Sequence, residues 1–381
     1  MHKNRFSIFL LALALTAVSA GCTAAPEQAE PSPFQGDAAV SEILVPQPWT
    51  EAEIPVDGKI WNLSLAGDCI FMELMLERED KNAQKSDKME LGIYDTATDS
   101  YQKLADTPAL LSYGTANFTM GQYLGMIRAW EDYEAGGFQG MLAVYDTKAQ
   151  EFRTLDQYAA GNIVQYAAPL NDTTIAYLFY EADLQAWSVR LYDLTTAESR
   201  RIYTHTNEET RSPAGMTCVD GKIVIALQAT DGSTELLWLT GEGGAEKTET
   251  IPFEANAQIT ALRIMGDYYC ISTARDVTVL RRKGDTFAPV KIPNFYLDHL
   301  KSDCMEEALI FGITGSTEAD STFVGLDFAA ESVNVYRLPA AETEEQRMYT
   351  EFGSDGTILL LTQEDVPVHD TLKFRYTTLG K

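Results

Sequence analysis

Residues 93–104 read IYDTATDSYQKL, and the same phrase returns as VYDTKAQEFRTL at 144–155 and as LYDLTTAESRRI at 191–202. Each copy begins with apolar residues, reaches Tyr-Asp, crosses a polar stretch and recovers an apolar position. This is the pattern of a strand, a turn and a second strand. Aspartate suits the first position of such a turn, because its carboxylate accepts backbone N–H groups. The phrase therefore predicts a β-hairpin that recurs along the chain.

The repeat continues beyond the three clear copies. The first turn positions of all the copies are Asp95, Asp146, Asp193, Thr240, Arg281, Asp327 and Thr377. A polar tight turn and an apolar strand precede each copy, as in VDGKIVIAL at 219–227. Both landmarks recur about every 47 residues, and a period of about 40–50 residues with four strands per repeat is typical of a β-propeller. The sequence predicts an all-β, seven-bladed β-propeller, with blades near 59–106, 109–157, 162–205, 212–253, 258–294, 296–340 and 345–381.

The seventh copy reaches only its third strand before Lys381. An outer strand without a partner would expose a row of backbone donors and acceptors. Residues 42–49, EILVPQPW, are apolar and have no other assigned partner. We expect this N-terminal strand to close the last blade. The alternatives are a ring of six or eight blades, another all-β repeat, or two β-sandwiches.

The N-terminus has the pattern of a targeting segment. A short basic region precedes an apolar run over 8–20, which is too short to span a bilayer comfortably. It ends in VSAGC at 18–22, which resembles the lipobox of bacterial lipoproteins, although Ser19 stands where that pattern has leucine. The resemblance implies acylation of Cys22, and ordinary cleavage after 18–20 is the alternative. The expected organisation is a signal peptide at 1–21, a lipidated cysteine and disordered linker at 22–40, and the propeller at 41–381.

Across most of its mature length, the chain resembles bacterial β-propeller lipoproteins as a general class. It lacks the Gly-His and Trp-Asp marks of the WD40 family, the glycine doublets of kelch repeats and the Ser-x-Asp-x-Gly box of sialidases. The resemblance implies a protein held at the cell membrane by its lipid and facing outside the cytoplasm.

Composition limits the partners. The 381 residues include 29 Lys+Arg and 56 Asp+Glu, which gives a formal net charge of −27. This charge repels phosphate backbones, so we expect no nucleic-acid partner. We also expect no cofactor, no metal and a monomeric chain. Four cysteines follow Cys22 without metal-ligand spacing, and we expect buried free thiols, with one disulfide as the alternative. These are Cys69, Cys218, Cys270 and Cys304.

The expected ligand-binding residues are aromatic. In a propeller, the loops between second and third strands share one rim with the loops between blades. Residues 128–140 and 179–187 occupy matching places of this kind in neighbouring blades. Aromatic side chains beside carboxylates suit stacking on a glycan or binding of a cationic peptide. The predicted site consists of Trp130, Tyr133, Tyr180 and Trp187, and the alternative is that they only cover the ends of their own blades.

No catalytic motif stands out. The histidines that follow the signal segment are His205, His299 and His369, and an adjacent aspartate in a strand points to the opposite face. The chain has no Gly-x-Ser-x-Gly, His-Glu-x-x-His or phosphate-binding glycine loop. Catalytic residues are therefore unknown. We expect a membrane-anchored binding or scaffold module, for a glycan, peptide or protein ligand. The alternative is an extracytoplasmic propeller lyase or hydrolase, which should show convergent titratable groups at the channel mouth.

Overall fold

The computed structural model describes residues 40–45, 48–76, 88–108, 116–132, 137–159, 161–206, 210–253, 259–273, 277–290, 303–304, 308–312, 322–328, 330–337, 346–352, 357–364 and 371–380. The chain divides into two units, Met1–Pro31 and Ser32–Lys381, and all the described residues belong to the second. The predicted signal peptide, Cys22, Tyr133, His299 and His369 lie outside the described residues. The side chains of Trp130 and Cys304 lie outside them too.

The described residues form strands and no helix. Three sheets come first. Sheet 1 contains β3 (Gly58–Ala66), β4 (Cys69–Leu76), β5 (Lys88–Asp95) and β6 (Ser100–Pro108). Sheet 2 contains β7 (Ala116–Met120), β8 (Tyr123–Asp132), β9 (Gly137–Asp146) and β10 (Glu151–Tyr158). Sheet 3 contains β11 (Ile163–Pro169), β12 (Thr174–Glu181), β13 (Ala186–Asp193) and β14 (Glu198–Thr206).

Four further sheets follow, and the last two include strands from the start of the described chain. Sheet 4 contains β15 (Arg211–Val219), β16 (Lys222–Ala229), β17 (Thr234–Thr240) and β18 (Ala245–Ile251). Sheet 5 contains β19 (Ile259–Met265), β20 (Tyr268–Thr273), β21 (Val277–Lys283) and β22 (Thr286–Val290). Sheet 6 contains β23 (Asp303–Cys304), β24 (Ala308–Gly312), β25 (Thr322–Asp327), β26 (Ser332–Arg337) and β1 (Val40–Leu44). Sheet 7 contains β27 (Gln346–Phe352), β28 (Ile358–Glu364), β29 (Leu372–Leu379) and β2 (Thr50–Ile54).

The repeated antiparallel sheets confirm the prediction of an all-β chain built from four-stranded units. No helix of the described residues has the length and apolar character needed to cross a membrane. Strand order in sheets 1–5 follows the chain, so each sheet runs from a first, inner strand to a fourth, outer one. Two rims follow from this topology. The turns between strands one and two and between three and four lie on one, which we call the turn rim. The second-to-third connections and the links between sheets lie on the other, which we call the loop rim.

The predicted closing strand was wrong in its position. Residues of β1 add to sheet 6 instead, parallel to β26, with Leu44 opposite Arg337. The strand that completes sheet 7 is β2, which is antiparallel to β29 and places Ile54 opposite Leu372. The physical reason lies in the residues. TEAEI at 50–54 alternates, so that Ala52 and Ile54 are buried between exposed neighbours, whereas 42–49 contains two prolines that cannot donate to a ladder.

The two sequence landmarks meet at the turn rim. The backbone N–H that follows the turn aspartate donates to a carbonyl in the preceding tight turn, from Thr96 to Asp68 at 2.9 Å and from Thr147 to Gln122 at 3.0 Å. The aspartate carboxylate also accepts backbone N–H groups, as predicted. Asp146 Oδ1 lies 3.0 Å from the nitrogens of both Lys148 and Ala149. Both landmarks therefore recur with the same period, because the two turns are joined by hydrogen bonds into one unit.

Apolar layers lie between consecutive sheets. Sheets 1 and 2 share a cluster around Phe71 and Leu124, and sheets 3 and 4 share one around Leu178 and Ile223. Sheets 2 and 3, and sheets 4 and 5, share similar clusters. Sheet 5 contacts sheet 6 through the rings of Tyr268 and Phe328, whose centroids are 4.8 Å apart. The residues of β2, β28 and β29 pack against β3 and β4 of sheet 1.

Candidate functional site

The structure places three of the four predicted aromatic residues in strands. Trp130 lies in β8 opposite Gln139. Tyr180 and Trp187 lie in β12 and β13, directly opposite each other. The interpretation of 128–140 and 179–187 as loops was therefore wrong over most of their length, because β8 continues to Asp132, β9 begins at Gly137, and β12 pairs with β13 up to the connection at 182–185.

Tyr180 and Trp187 form one aromatic pair. Their ring centroids are 5.0 Å apart and the planes are tilted by 53°. Directly opposed residues in an antiparallel pair share one face of the sheet. Trp187 packs against the apolar layer between sheets 3 and 4 and is only partly buried. The pair therefore packs against the core on one side and lies at the loop-rim end of sheet 3.

An exposed leucine lies in the connection that joins the two strands of this aromatic pair. Leu184 lies in the connection between β12 and β13 and is 57% exposed. We define the rim patch as Tyr180, Leu184 and Trp187. Sequence reasoning missed Leu184, although an isolated leucine in a four-residue hairpin connection was the available signal. The patch offers an apolar, partly aromatic contact surface at the loop rim.

Carboxylates near the rim patch are paired with cations. Glu181 Oε2 lies 3.2 Å from Nη2 of Arg201, and its Oε1 lies 3.4 Å from Nη2 of Arg190. The Arg190 guanidinium also lies over the Phe179 ring, 3.9 Å from its centroid. Burial raises the pKa of Asp156, and this effect is partly opposed by the Tyr177 hydroxyl and by Arg190. Asp156 is the member of this group that belongs to sheet 2, and its Oδ2 lies 3.8 Å from Nη1 of Arg190, so this pair joins sheets 2 and 3.

A polar junction lies beside the rim patch. His205 in β14 is opposite Trp187, is buried, and its Nε2 lies 2.6 Å from the carbonyl oxygen of Arg211. Arg211 in turn donates to the Ser233 hydroxyl at 3.0 Å and pairs with Glu235 at 2.9 Å. This junction joins sheets 3 and 4 and fixes the base of the patch.

Titratable groups show no metal arrangement in the described part of the chain, where no group of three or more His, Cys, Asp or Glu residues is suited to hold a metal ion. Cys69, Cys218 and Cys270 are free thiols, as predicted, but only Cys270 is fully buried and the other two are partly buried. Burial raises the pKa of Cys69 to about 11 and that of Cys218 to about 12. Both thiols therefore stay protonated at neutral pH and are poor nucleophiles.

The innermost strands carry a feature that sequence reasoning missed. Four of them, β3, β11, β15 and β19, contain one extra residue near the start of the strand, where the pairing register shifts. Such bulges bend a strand and redirect a side chain. The extra residues are Trp61, Gln165, Ala214 and Thr260. Trp61 is 43% exposed, which is unusual for an indole on an inner strand.

Tyr166 connects the bulged strands to each other. Its hydroxyl lies 2.6 Å from the carbonyl oxygen of Ala214 and 2.9 Å from that of Ile259. A side chain of sheet 3 therefore reaches the inner edges of sheets 4 and 5. This contact shows that the bulged segments of three consecutive sheets lie along one shared inner edge.

A basic concavity of about 530 Å³ lies on the turn rim of sheet 5. Its lining consists of Asp267, Arg281, Arg282, Lys283 and Gly284. Arg281 pairs with Glu331 and Arg282 with Glu249, each at 3.0 Å. Because carboxylates of adjacent sheets pair with these arginines, the concavity carries little net positive charge with which to bind an anion.

No protein-family model and no curated protein matches the chain. Solved structures do resemble it. An oligogalacturonate lyase from Vibrio parahaemolyticus is 11% identical with a TM-score of 0.49, over 85% of this chain and 90% of that one. The β-propeller domain of the Trilobed protease from Pyrococcus furiosus is 8% identical with a TM-score of 0.49, over 86% and 97%.

An acylaminoacyl peptidase is 9% identical with a TM-score of 0.51, over 85% of this chain and 52% of that one. Identities this low concern the fold and not the activity. The repeated four-stranded antiparallel sheets place this chain in the β-propeller class, and the TM-score of 0.51 with the peptidase shows a shared fold.

Proposed function

We propose that the protein is a membrane-anchored, extracytoplasmic binding lipoprotein whose ligand contacts the loop rim of a seven-bladed propeller. Support for one ring of seven blades comes from the apolar layers between consecutive sheets and from the packing of sheet 7 against sheet 1. Support for the anchor comes from VSAGC at 18–22 and the Pro- and Ala-rich segment that follows. Because β1 begins at Val40, the tether in this proposal spans 22–39.

The rim patch is the observation that carries the binding proposal. Leu184 is exposed beside two partly buried aromatic rings, and the neighbouring carboxylate of Glu181 is held by two arginines. A surface of this kind gains affinity when a partner covers it, because apolar area leaves water. The proposal includes Trp130 because β8 brings its backbone near the loop-rim end of sheet 2, and it includes Tyr133 by sequence position alone.

A binding assay with matched leucine variants tests this proposal. Glycan and peptide arrays are probed with the native protein, with Leu184→Ser and with Leu44→Ser. Leu44 is 83% exposed but lies on β1 at the outer edge of sheet 6, so its change alters solubility to a similar degree. We expect Leu184→Ser to lose at least about tenfold in affinity and Leu44→Ser to be unchanged. Equal profiles for both variants would show that the rim patch binds nothing, and cleavage of a bound probe would favour the lyase or hydrolase alternative.

The anchor has its own test. Cys22→Ala should release the protein from membranes into the medium, because the acylated thiol is lost. Cys69→Ala serves as the control, since Cys69 is a free thiol within sheet 1. Retention of the Cys22 variant on membranes would contradict lipidation at this residue.

A further inference from the structure

We infer that the opening of the central channel on the loop rim is an oligosaccharide site, with Trp61 and Gln165 as its contacts. The inference rests on the proposed function, because it uses the same rim. The innermost strands begin at the loop rim, and the bulges at Trp61 and Gln165 lie within the first four residues of β3 and β11. Both extra residues therefore lie at the loop-rim end of the inner edge.

The bulge in β3 is what exposes Trp61. Ile60 pairs with Leu74 and Asn62 with Glu73, so that Trp61 has no cross-strand partner. Ile60 and Leu63 are both buried in the layer between sheets 7 and 1, although they are three residues apart. The extra residue allows both Ile60 and Leu63 to face the core, and it leaves the indole of Trp61 exposed. Its apolar face suits stacking against the C–H groups of a sugar ring, and its N–H remains a hydrogen-bond donor.

Gln165 presents a buried acceptor at the equivalent position of sheet 3. Its Oε1 is enclosed and has no hydrogen-bond partner among the described residues. Burial of an unsatisfied amide oxygen is unfavourable, so a rotation of the Gln165 side chain that brings the oxygen to a ligand donor would be favoured. A sugar hydroxyl supplies such a donor. The neighbouring Tyr166 is already engaged with the carbonyls of sheets 4 and 5, which holds this edge in place.

Charge along the inner strands argues against a cationic ligand. Three of the four charged side chains described there are cations, while the whole chain has 29 Lys+Arg and 56 Asp+Glu. They are Lys59, Arg211, Arg263 and Glu351. Glu351 is buried and Arg211 is paired with Glu235, so the wall is close to neutral. An ammonium ligand would be favoured by a carboxylate beside the indole, and none of the described bulge residues supplies one. A neutral or weakly acidic chain of sugars fits this chemistry best.

Three probe classes test the inference on the full chain: neutral oligosaccharides, an oligouronate, and pentalysine. Affinities are measured by calorimetry for the native protein, Trp61→Phe, Trp61→Ala and Gln165→Met. We expect saccharide binding to fall at least about tenfold in Trp61→Ala and to be largely retained in Trp61→Phe, which keeps an aromatic face. Gln165→Met should lose at least about tenfold in affinity while its thermal midpoint stays equal or rises, because a buried acceptor without a partner is removed.

The outcomes separate this inference from the proposed function. Saccharide binding that depends on Trp61 and Gln165 supports it, and the neutral and uronate probes identify which sugar class is preferred. Saccharide binding lost in Leu184→Ser but kept in Trp61→Ala overturns the inference and leaves the rim proposal standing. Selective binding of pentalysine overturns it in the same way. A Gln165→Met variant that loses both affinity and thermal stability shows a purely structural glutamine. No binding of any array ligand overturns both.

Discussion

At the turn rim, sheets 1, 2 and 3 form the same hydrogen-bonded turn, whereas at the loop rim the sheets differ from one another. The aspartates at 95, 146 and 193 each accept backbone N–H groups from the second and third residues after them. Four residues after each aspartate comes a left-handed residue that is not glycine: Asp99, Gln150 and Ala197, with φ of 51°, 54° and 57°. On the loop rim, the second strand ends at Glu181 and the third begins at Ala186 in sheet 3, whereas in sheet 1 the second ends at Leu76 and the third begins at Lys88.

The difference shows how a repeat protein separates folding from recognition. Repeated turns set the hairpin register, and no single one of them is indispensable, because neighbouring sheets carry the same device. Features that occur once among the described residues include the closing strand, a buried ion pair and the exposed Trp61. We expect changes at such unique features to have larger consequences than changes within the repeat.

The largest effect is expected at the buried ion pair between sheets 1 and 2. Arg128 Nε contacts Glu73 Oε1, and both side chains are fully buried. Burial lowers the pKa of Arg128, and the Glu73 charge opposes this effect. Glu73→Leu should cost about 3–5 kcal/mol in unfolding free energy, because it leaves a buried guanidinium without its counter-charge. Urea denaturation at neutral pH measures this change.

A paired variant sharpens that prediction. Glu73→Leu combined with Arg128→Met removes both charges and keeps apolar volume, so most of the lost stability should return. If the double variant is as unstable as the sum of the two single variants, the charges do not act as a pair.

Closure by β2 gives the next largest effect. Ile54 is 1% exposed in the layer between sheets 7 and 1, and Leu44 on β1 is 83% exposed. Ile54→Ala should destabilise the domain by about 2–5 kcal/mol, since it leaves a cavity at the closure. Leu44→Ala should change the unfolding free energy by less than about 0.5 kcal/mol. Equal shifts in the denaturation midpoint of the two variants would show that β1, and not only β2, secures the ring.

Within the repeat, Asp146→Ala should have a moderate effect. Burial opposes ionisation of Asp146, but hydrogen bonds from Ala149, Gln122 and Lys148 together lower the pKa of its carboxyl. We expect a loss of about 1–2 kcal/mol at neutral pH, typical of hydrogen bonds to a charged acceptor.

The pH dependence has a defined sign. A carboxyl whose pKa is lowered on folding stabilises the protein above its unfolded pKa, and this contribution disappears as the pH falls through the folded pKa. The stability difference between native protein and Asp146→Ala should therefore be full at pH 7 and shrink below about pH 4. A difference that does not change with pH would mean that the carboxylate charge contributes nothing.

The features that repeat from sheet to sheet were predictable from the sequence, whereas the features found in a single sheet were missed or misplaced. The hairpins at Asp95, Asp146 and Asp193 were predictable, because local turn chemistry and alternation determine them. The closing strand was misplaced because 42–49 is apolar by composition, while the alternation of Ala52 and Ile54 in a largely charged segment is a weaker signal. Trp61 was missed because a bulge is a matter of register between strands, which one strand's pattern does not reveal. The segment around Tyr180 and Trp187 was interpreted as a loop because its polar residues hide the continuation of both hairpin strands to the connection at 182–185.

The smallest effect, and the only one expected to stabilise, lies at Ala197. This exposed residue of the turn between β13 and β14 has a φ of 57°, a conformation that costs an L-residue roughly 1–2 kcal/mol and glycine almost nothing. Ala197→Gly should raise the unfolding free energy by up to about 1 kcal/mol, because the relieved strain exceeds the added entropy of the unfolded chain. Ala176→Gly is the matched control, since Ala176 is buried within β12 and loses packing without any relief of strain. Thermal unfolding of the two variants should shift in opposite directions. A fall in both midpoints would show that the left-handed residue of the repeated turn is not strained, and that the turn rim gains its uniformity from the aspartate hydrogen bonds alone.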